Sequence, residues 1–415
     1  TTASNVITLG NNAGLSYTTA GDSIAIGGSS LKLISGGTGQ NIAIGSNAML
    51  SSGTAADNDA SQNIAIGHWA LKAITDGDNN VAVGYQAADA ITTGQDNIAI
   101  GLNALGAADT ATYNVAIGSG AMNGITTGIA ATHCIAIGTD ALKSSGSFDA
   151  TNSSYTVAIG HQSGYSITNT AAGIYNTLVG AGTGRSLTTG GTSAFYGFYS
   201  GYGTTTASGN TAMGAYSHEK IGVGATNTAI GAYAMQSTGT ATDNDASSNV
   251  AVGYQALKVI TDGDNNTALG SNALDALTTG SNNVALGMDA LGLNATMSNN
   301  VAIGTYAADA LTAGQDCVFI GHYAGSSITS AGGGTLDGAI AIGREAMLGS
   351  SSTTSAVGGA IAIGQDSMKS ITTGAENIAI GSLSATALTT GGDNIAIGYA
   401  ALMAADGAED NNVVI

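Results

Sequence analysis

One short phrase governs this sequence. A pentad of the form Asn-Ile-Ala-Ile-Gly stands at Asn41–Gly45 and returns at Asn63–Gly67, Asn80–Gly84, Asn97–Gly101, Asn114–Gly118 and on to Asn394–Gly398. From Gly10 to Gly398 there are 22 closing glycines and 21 intervals, of which 13 are 17 residues long and the rest 18 to 22. Self-similarity at a period near 20 is the signature of a solenoid, whose unit cannot bury its apolar face alone and must stack on its neighbours. A second level lies above the first. Gly45, Gly67, Gly84, Gly101 and Gly118 map onto Gly231, Gly253, Gly270, Gly287 and Gly304 at a constant offset of 186, which points to duplicated blocks of about 45–230 and 231–415. Residues 1–415 therefore read as one continuous repeat region with no separate globular domain.

Within each pentad Ile or Val alternates with Ala, a two-residue period that argues strand rather than helix. Clusters such as Thr75-Asp-Gly-Asp-Asn79 supply turns. A strand, a turn, a second short strand and another turn use up the period, so one unit predicts one coil of an all-β parallel roll. Coils stacked about 4.8 Å apart would give a rod on the order of 100 Å long. The chain has no proline, where ordinary usage would supply about 20. Nearly every backbone N–H is thus expected to hold a hydrogen bond.

Stacking places equivalent residues in columns. Asn opens the pentad in 14 of 22 units, and the set Asn41, Asn63, Asn80, Asn97, Asn114, Asn249, Asn266, Asn283, Asn300, Asn377 and Asn394 predicts a ladder of side-chain amides along the stack. The Ile and Val residues, such as Ile42 with Ile44 and Val81 with Val83, are expected to fill the interior. Ala43, Ala65, Ala82 and Ala99 are then expected on the outer face, where a column of small apolar residues suits close packing by another chain. A homo-oligomer follows, closed around a three-fold axis if the flat faces meet there.

Charge narrows the partners. Lys and Arg number 8 against 27 Asp and Glu, a net charge of −19, and such a surface repels a phosphate backbone, so nucleic acid is excluded as a partner. No run of 18 apolar residues occurs, so no membrane span is expected in this segment. The chain does not begin with Met and ends partway through a unit, which reads as a processed product or a piece of something longer.

Candidate sites are few. Cys134 and Cys317 both replace the ladder Asn, ten coils apart, or about 48 Å. That is far beyond the roughly 7 Å Cα separation a disulfide allows, so two buried free thiols are expected. His68, His161 and His322 each follow a closing glycine but lack convergent partners, and no metal is expected there. The acidic loops holding Asp57, Asp59, Asp76, Asp78, Asp243 and Asp245 are weak Ca²⁺ candidates, because oxygen ligands cluster but no known loop spacing is matched. Phe195, Tyr196, Phe198, Tyr199 and Tyr202 form the one aromatic cluster, a recognition surface or a local repacking of the core. Paired threonines such as Thr92-Thr93, Thr278-Thr279 and Thr372-Thr373 would point to opposite faces and so form no flat array for ice. No nucleophile, acid–base pair or phosphate loop stands out, so neither an enzyme nor a cofactor is expected.

The repeated Asn-Ile-Ala-Ile-Gly followed by x-x-Ala resembles the head repeats of trimeric autotransporter adhesins. The longer form, Asn80-Val-Ala-Val-Gly-Tyr-Gln-Ala87 with Thr-Thr-Gly before the next unit, is also similar to repeats of bacteriophage tail fibres. The resemblance implies a left-handed parallel β-roll in an extracellular homotrimer, on a virion tail fibre or a bacterial cell surface. It also implies a structural role, extending or mediating attachment to a host-surface glycan or protein. The adhesin coil is shorter than this one. A three-sided β-helix with hexapeptide faces is the other architecture, although these units do not divide into three similar sixes. The competing function is a self-assembling extracellular filament subunit.

Overall fold

Ile-Ala-Ile and Val-Ala-Val triplets are short β-formers, closed on one side by a glycine and on the other by Asn. In the computed structural model each becomes a strand of three residues, and the chain is a parallel β-solenoid of about 21 turns with about 17 residues in each turn. The structure describes residues 5–16, 21–36, 38–52, 58–124, 132–143, 155–167, 175–240, 244–293, 295–312, 314–328, 336–349, 357–404 and 407–415. Among them there is no helix, hence none long and apolar enough to cross a membrane.

The chain divides into two compact units, Thr1–Asn210 and Thr211–Ile415. The first carries β1 (Ile7–Leu9) through β11 (Ala194–Tyr196), and the second carries β12 (Thr211–Met213) through β23 (Val413–Val414). Pairing is parallel and in register. In the first unit Ile64 lies beside Val81, Ala65 beside Ala82 and Ile66 beside Val83. In the second, Val284 lies beside Val301, Ala285 beside Ala302 and Leu286 beside Ile303.

The closing glycine is fixed by its neighbour one coil on. Gly84 has φ +143°, and a Cβ there would stand 2.4 Å from the carbonyl oxygen of Gly101. Any side chain would push the coils apart at that corner.

A second strand per coil, expected from the period, does not form. Residues two and four places after the glycine are left-handed, as at Asn103 (φ 52°) and Leu105 (φ 53°), and this conformation cannot continue a strand. For a residue such as Leu it costs about 1–2 kcal/mol. Stacking offsets that cost: the Asn103 N–H donates to the Tyr85 carbonyl at 3.0 Å and the Leu105 N–H to the Ala121 carbonyl at 2.9 Å. The corner is bonded coil to coil without being β.

The faces are also the reverse of the expectation. Ala43, Ala65, Ala82 and Ala99 are fully buried, whereas the flanking Ile and Val residues lie half-buried or exposed on the outside, Ile98 and Ile100 at 38% each. The interior is completed by Ala87, Ala88 and Ile91 in one coil and by Ala104 and Leu105 in the next, all essentially inaccessible. A coil this short encloses little space. Leu, Met and Ile from the corners fill it, and only Ala fits opposite them at close-packed density.

Two coils confirm this by exception. Phe195 and Phe319 occupy the Ala column, fully buried. Six residues later, where most other coils carry Leu or Met, stand Gly201 and Gly325, as Gly184 stands against Leu178. A Cβ on Gly201 or Gly325 would lie 2.4 Å and 2.3 Å respectively from the phenyl ring. The large residue on one wall is matched by a glycine on the other.

Candidate functional site

The asparagine column is the most regular polar feature. Asn97 donates its backbone N–H to Asn80 Oδ1 at 3.1 Å, and its Nδ2 donates to the same oxygen at 2.9 Å and to the Ala111 carbonyl at 2.7 Å. Asn97 Oδ1 then accepts from the N–H and Nδ2 of Asn114, both at 3.1 Å. The pattern repeats at Asn41, Asn63 and Asn80, through Asn249, Asn266, Asn283 and Asn300, and from Asn377 to Asn394. These side chains are buried. Their chemistry is spent on backbone groups and on one another, so the column joins coils and offers nothing to a ligand.

Substituents in the column differ in how well they fit. Cys134 and Cys317 are free and buried, and burial pushes both thiols up to about 11, out of the range of a reactive thiolate. Cys317 still joins the ladder: its N–H donates to Asn300 Oδ1 at 3.0 Å and its thiol to the Leu336 carbonyl at 2.6 Å. Thr156, by contrast, has a buried Oγ1 with no partner among the described residues.

The aromatic cluster separates into members of different kinds. Phe195 is core, so its reading as a recognition residue is corrected. Tyr196 takes an outward pentad position at 38% exposure, and Phe198, beside the closing glycine, is 45% exposed. The Tyr199 ring lies over Gly182 of the coil below, where a Cβ would be 2.3 Å from the ring. It meets Phe198 at 4.2 Å between centroids and Tyr202 edge-on at 4.7 Å.

A cation that the sequence reading passed over completes this patch. Arg185 stands five residues after its closing glycine, in the same column as Tyr165 below and Tyr202 above. Its guanidinium carbon is 5.3 Å and 5.6 Å from the centroids of those two rings. Nε donates to Gln162 Oε1 at 3.0 Å and Nη1 to the Tyr202 hydroxyl at 3.0 Å. Among the described residues no carboxylate is within ion-pair distance of it. The signal was available in the shared spacing of Tyr165, Arg185 and Tyr202 from their glycines.

A second aromatic feature was missed for the same reason. Tyr113, His133, Tyr155 and Tyr175 each precede the pentad, and their rings stack in one run at 4.9, 5.0 and 5.5 Å. Their faces cover one another, which leaves mainly edges to solvent.

The acidic loops bring Asp245 beside Asp262 but build no metal-holding group of three among the described residues. Asp57 and Asp243 lie outside the described residues. Asp78 Oδ1 accepts the Ser61 N–H at 2.7 Å and Asp264 Oδ1 the Ser247 N–H at 2.8 Å, so each carboxylate ties its coil to the preceding one. Desolvation and then the neighbouring Asp262 raise the Asp245 carboxyl. Asp59 and Asp76 hold the equivalent positions on two adjacent loops of the first unit. Asp275, Asp289 and Asp309 line a cleft of about 250 Å³ with Tyr306. Among the described residues no three His, Cys, Asp or Glu side chains are placed to hold a metal ion. His161 is exposed, His68 stacks on Trp69 at 4.5 Å and His322 meets Tyr323 edge-on at 4.2 Å.

Compared with protein-family models and with curated proteins, the chain matches none.

Proposed function

We propose that this chain is a structural segment of a homotrimeric extracellular fibre, a left-handed roll that extends or mediates attachment to a host surface, as in a phage tail fibre or a bacterial adhesin. The observation that carries the reading is the outward face of the strands. In each unit two columns made mainly of Ile and Val stand side by side on the exterior, with Ile98, Ile100, Val284 and Leu286 at 37–38% exposure, although Thr177, Ala194, Thr211, Thr228 and Thr267 interrupt the first of them. A monomer in water rarely keeps a contiguous apolar stripe of that kind. Each such side chain withdrawn from water contributes about 1 kcal/mol. One unit carries enough of them to exceed the roughly 4–15 kcal/mol that association costs.

The partner face is therefore the Ile/Val face, and the Ala column serves only the interior. Inter-coil hydrogen bonds at both strand and corner supply stiffness, and the acidic edge loops supply solubility. Nothing in this role requires catalysis or a cofactor. Electron microscopy of the purified chain tests it. Rods of one length and uniform width, with three-fold averages in end view, are expected. Filaments whose length grows with concentration would instead favour the self-assembling subunit, and thin single-chain rods would refute the trimer.

A further inference from the structure

Arg185, like Lys72 over Trp69, is a cation set against aromatic rings with no described carboxylate within ion-pair distance, and among the described residues it is the one flanked by two rings. Lys143 pairs with Asp140, and Arg344 and Lys369 share Glu345 and Asp366. Arg185 instead lies between two tyrosine rings. In a chain with more than three acidic residues for each basic one, a guanidinium placed away from every described carboxylate has donors to spare. Among the described residues two of its five N–H groups find acceptors, one on Gln162 and one on Tyr202. What remains includes one hydrogen on Nη1 and both on Nη2, the end of the fork that takes a carboxylate in two parallel bonds.

The Tyr165 and Tyr202 rings flank the guanidinium and the bonds to Gln162 and the Tyr202 hydroxyl orient it, so part of the side-chain ordering that binding normally costs is already met. Beside it the Phe198, Tyr199 and Tyr202 rings form a contiguous apolar surface, with Phe198 half exposed. A rigid anion-binding fork next to aromatic rings matches a pyranose that carries a carboxylate: the carboxylate takes the fork and the C–H face of the sugar packs on the rings. A single guanidinium balances a monoanion and not a phosphate dianion. The net charge of −19 repels anions at long range, but screening confines that field to about 8 Å at physiological salt, so a contact-range site persists.

We propose that Arg185, with Tyr199 and Tyr202, binds a uronic-acid-type residue of an acidic polysaccharide. This deepens the attachment reading, in that it names the chemistry the fibre would touch, but it does not need the trimer. The test is calorimetric titration of the full chain with oligogalacturonate, with its methyl-esterified form and with inorganic phosphate as competitor. Saturable binding of the acid is expected, at least tenfold weaker for the ester and not displaced by equimolar phosphate. Arg185→Gln should weaken it at least tenfold, Arg185→Lys should not restore it, and Tyr202→Phe should weaken it severalfold with the melting temperature unchanged.

Absence of saturable binding by the wild-type chain, equal affinity for acid and ester, displacement by phosphate, or an Arg185→Gln chain that binds like wild type would each overturn the proposal. Sedimentation of the same samples separates the two readings. A monomer that binds the acid defeats the fibre alone, and a trimer that does not bind it defeats the site alone.

Discussion

The asparagine column assigns each residue in it a number of bonds, and substitutions should be graded by that number. Asn97→Ala removes the acceptor of two Asn114 donors and the donor to the Ala111 carbonyl. Buried groups left unpaired cost about 1–3 kcal/mol each, so a loss of about 3–5 kcal/mol is expected. Faster amide exchange at Asn114 would locate it. Thr156 is the opposite case, because its buried hydroxyl has no partner among the described residues. Thr156→Val keeps the shape and should raise stability by about 1 kcal/mol, readable as a later denaturant midpoint.

His218 adds a pH term of known sign. It sits fully buried in the corner column where Met235 and Leu257 sit in other coils, and burial pulls its pKa down to about 4. Asn227 Nδ2 lies 3.4 Å from Nε2, a contact that needs the neutral ring. Because the folded value lies below the unfolded value near 6.5, the unfolded chain takes up the extra proton as pH falls. Stability is then full above about pH 6.5 and declines between 6.5 and 4. The span corresponds to roughly 3 kcal/mol at 1.36 kcal/mol per unit. His218→Leu should flatten the melting temperature of the second unit across that interval, and an unchanged pH slope would show that the ring is solvated.

At the scale of the coil, period, strand position, turn positions and column membership were all legible in the sequence, because each follows from spacing alone. Which face points inward was not. Alternation by two separates the faces without labelling them, and the habit of placing the larger residues inside misleads where the enclosed space is small. The missing information lay outside the pentad, in the Leu, Met and Ile of the corners that already fill the interior. It was also present as coupled exceptions, Phe195 with Gly201 and Phe319 with Gly325, which join the Ala column to the corner column. The second strand failed for a related reason: left-handed residues such as Leu105 are set by the stack and carry no local sequence signal. Arg185 was invisible as a site because one arginine among turn residues acquires meaning only once Tyr165 and Tyr202 lie above and below it.

The volume match gives a direct prediction for the element. Phe195→Ala opens a cavity and should cost about 3–5 kcal/mol. Gly201→Leu drives a side chain into the ring and should be at least as damaging. Together they recreate an ordinary Ala and Leu coil, so the double variant should recover much of the loss, with a coupling of about 2–3 kcal/mol in a double-mutant cycle. Additive losses would mean that the two walls do not share one space.

For the molecule as a whole, the buried and exposed faces make opposite demands on mutagenesis. A charge at Ala82 enters the interior and should unfold its coil, so it reports on packing and says nothing of assembly. A charge on the strand exterior leaves the coil intact and acts on whatever covers it. The account rests on the claim that the Ile/Val columns are where copies of the chain meet. Sedimentation equilibrium of the wild-type chain and of Ile98→Glu/Ile100→Glu, at low micromolar concentration and with circular dichroism to confirm the fold, tests it most directly. Three times the chain mass for the wild type and a marked shift toward monomer for the variant are expected. A wild-type monomer, or a variant that folds and assembles unchanged, would contradict it.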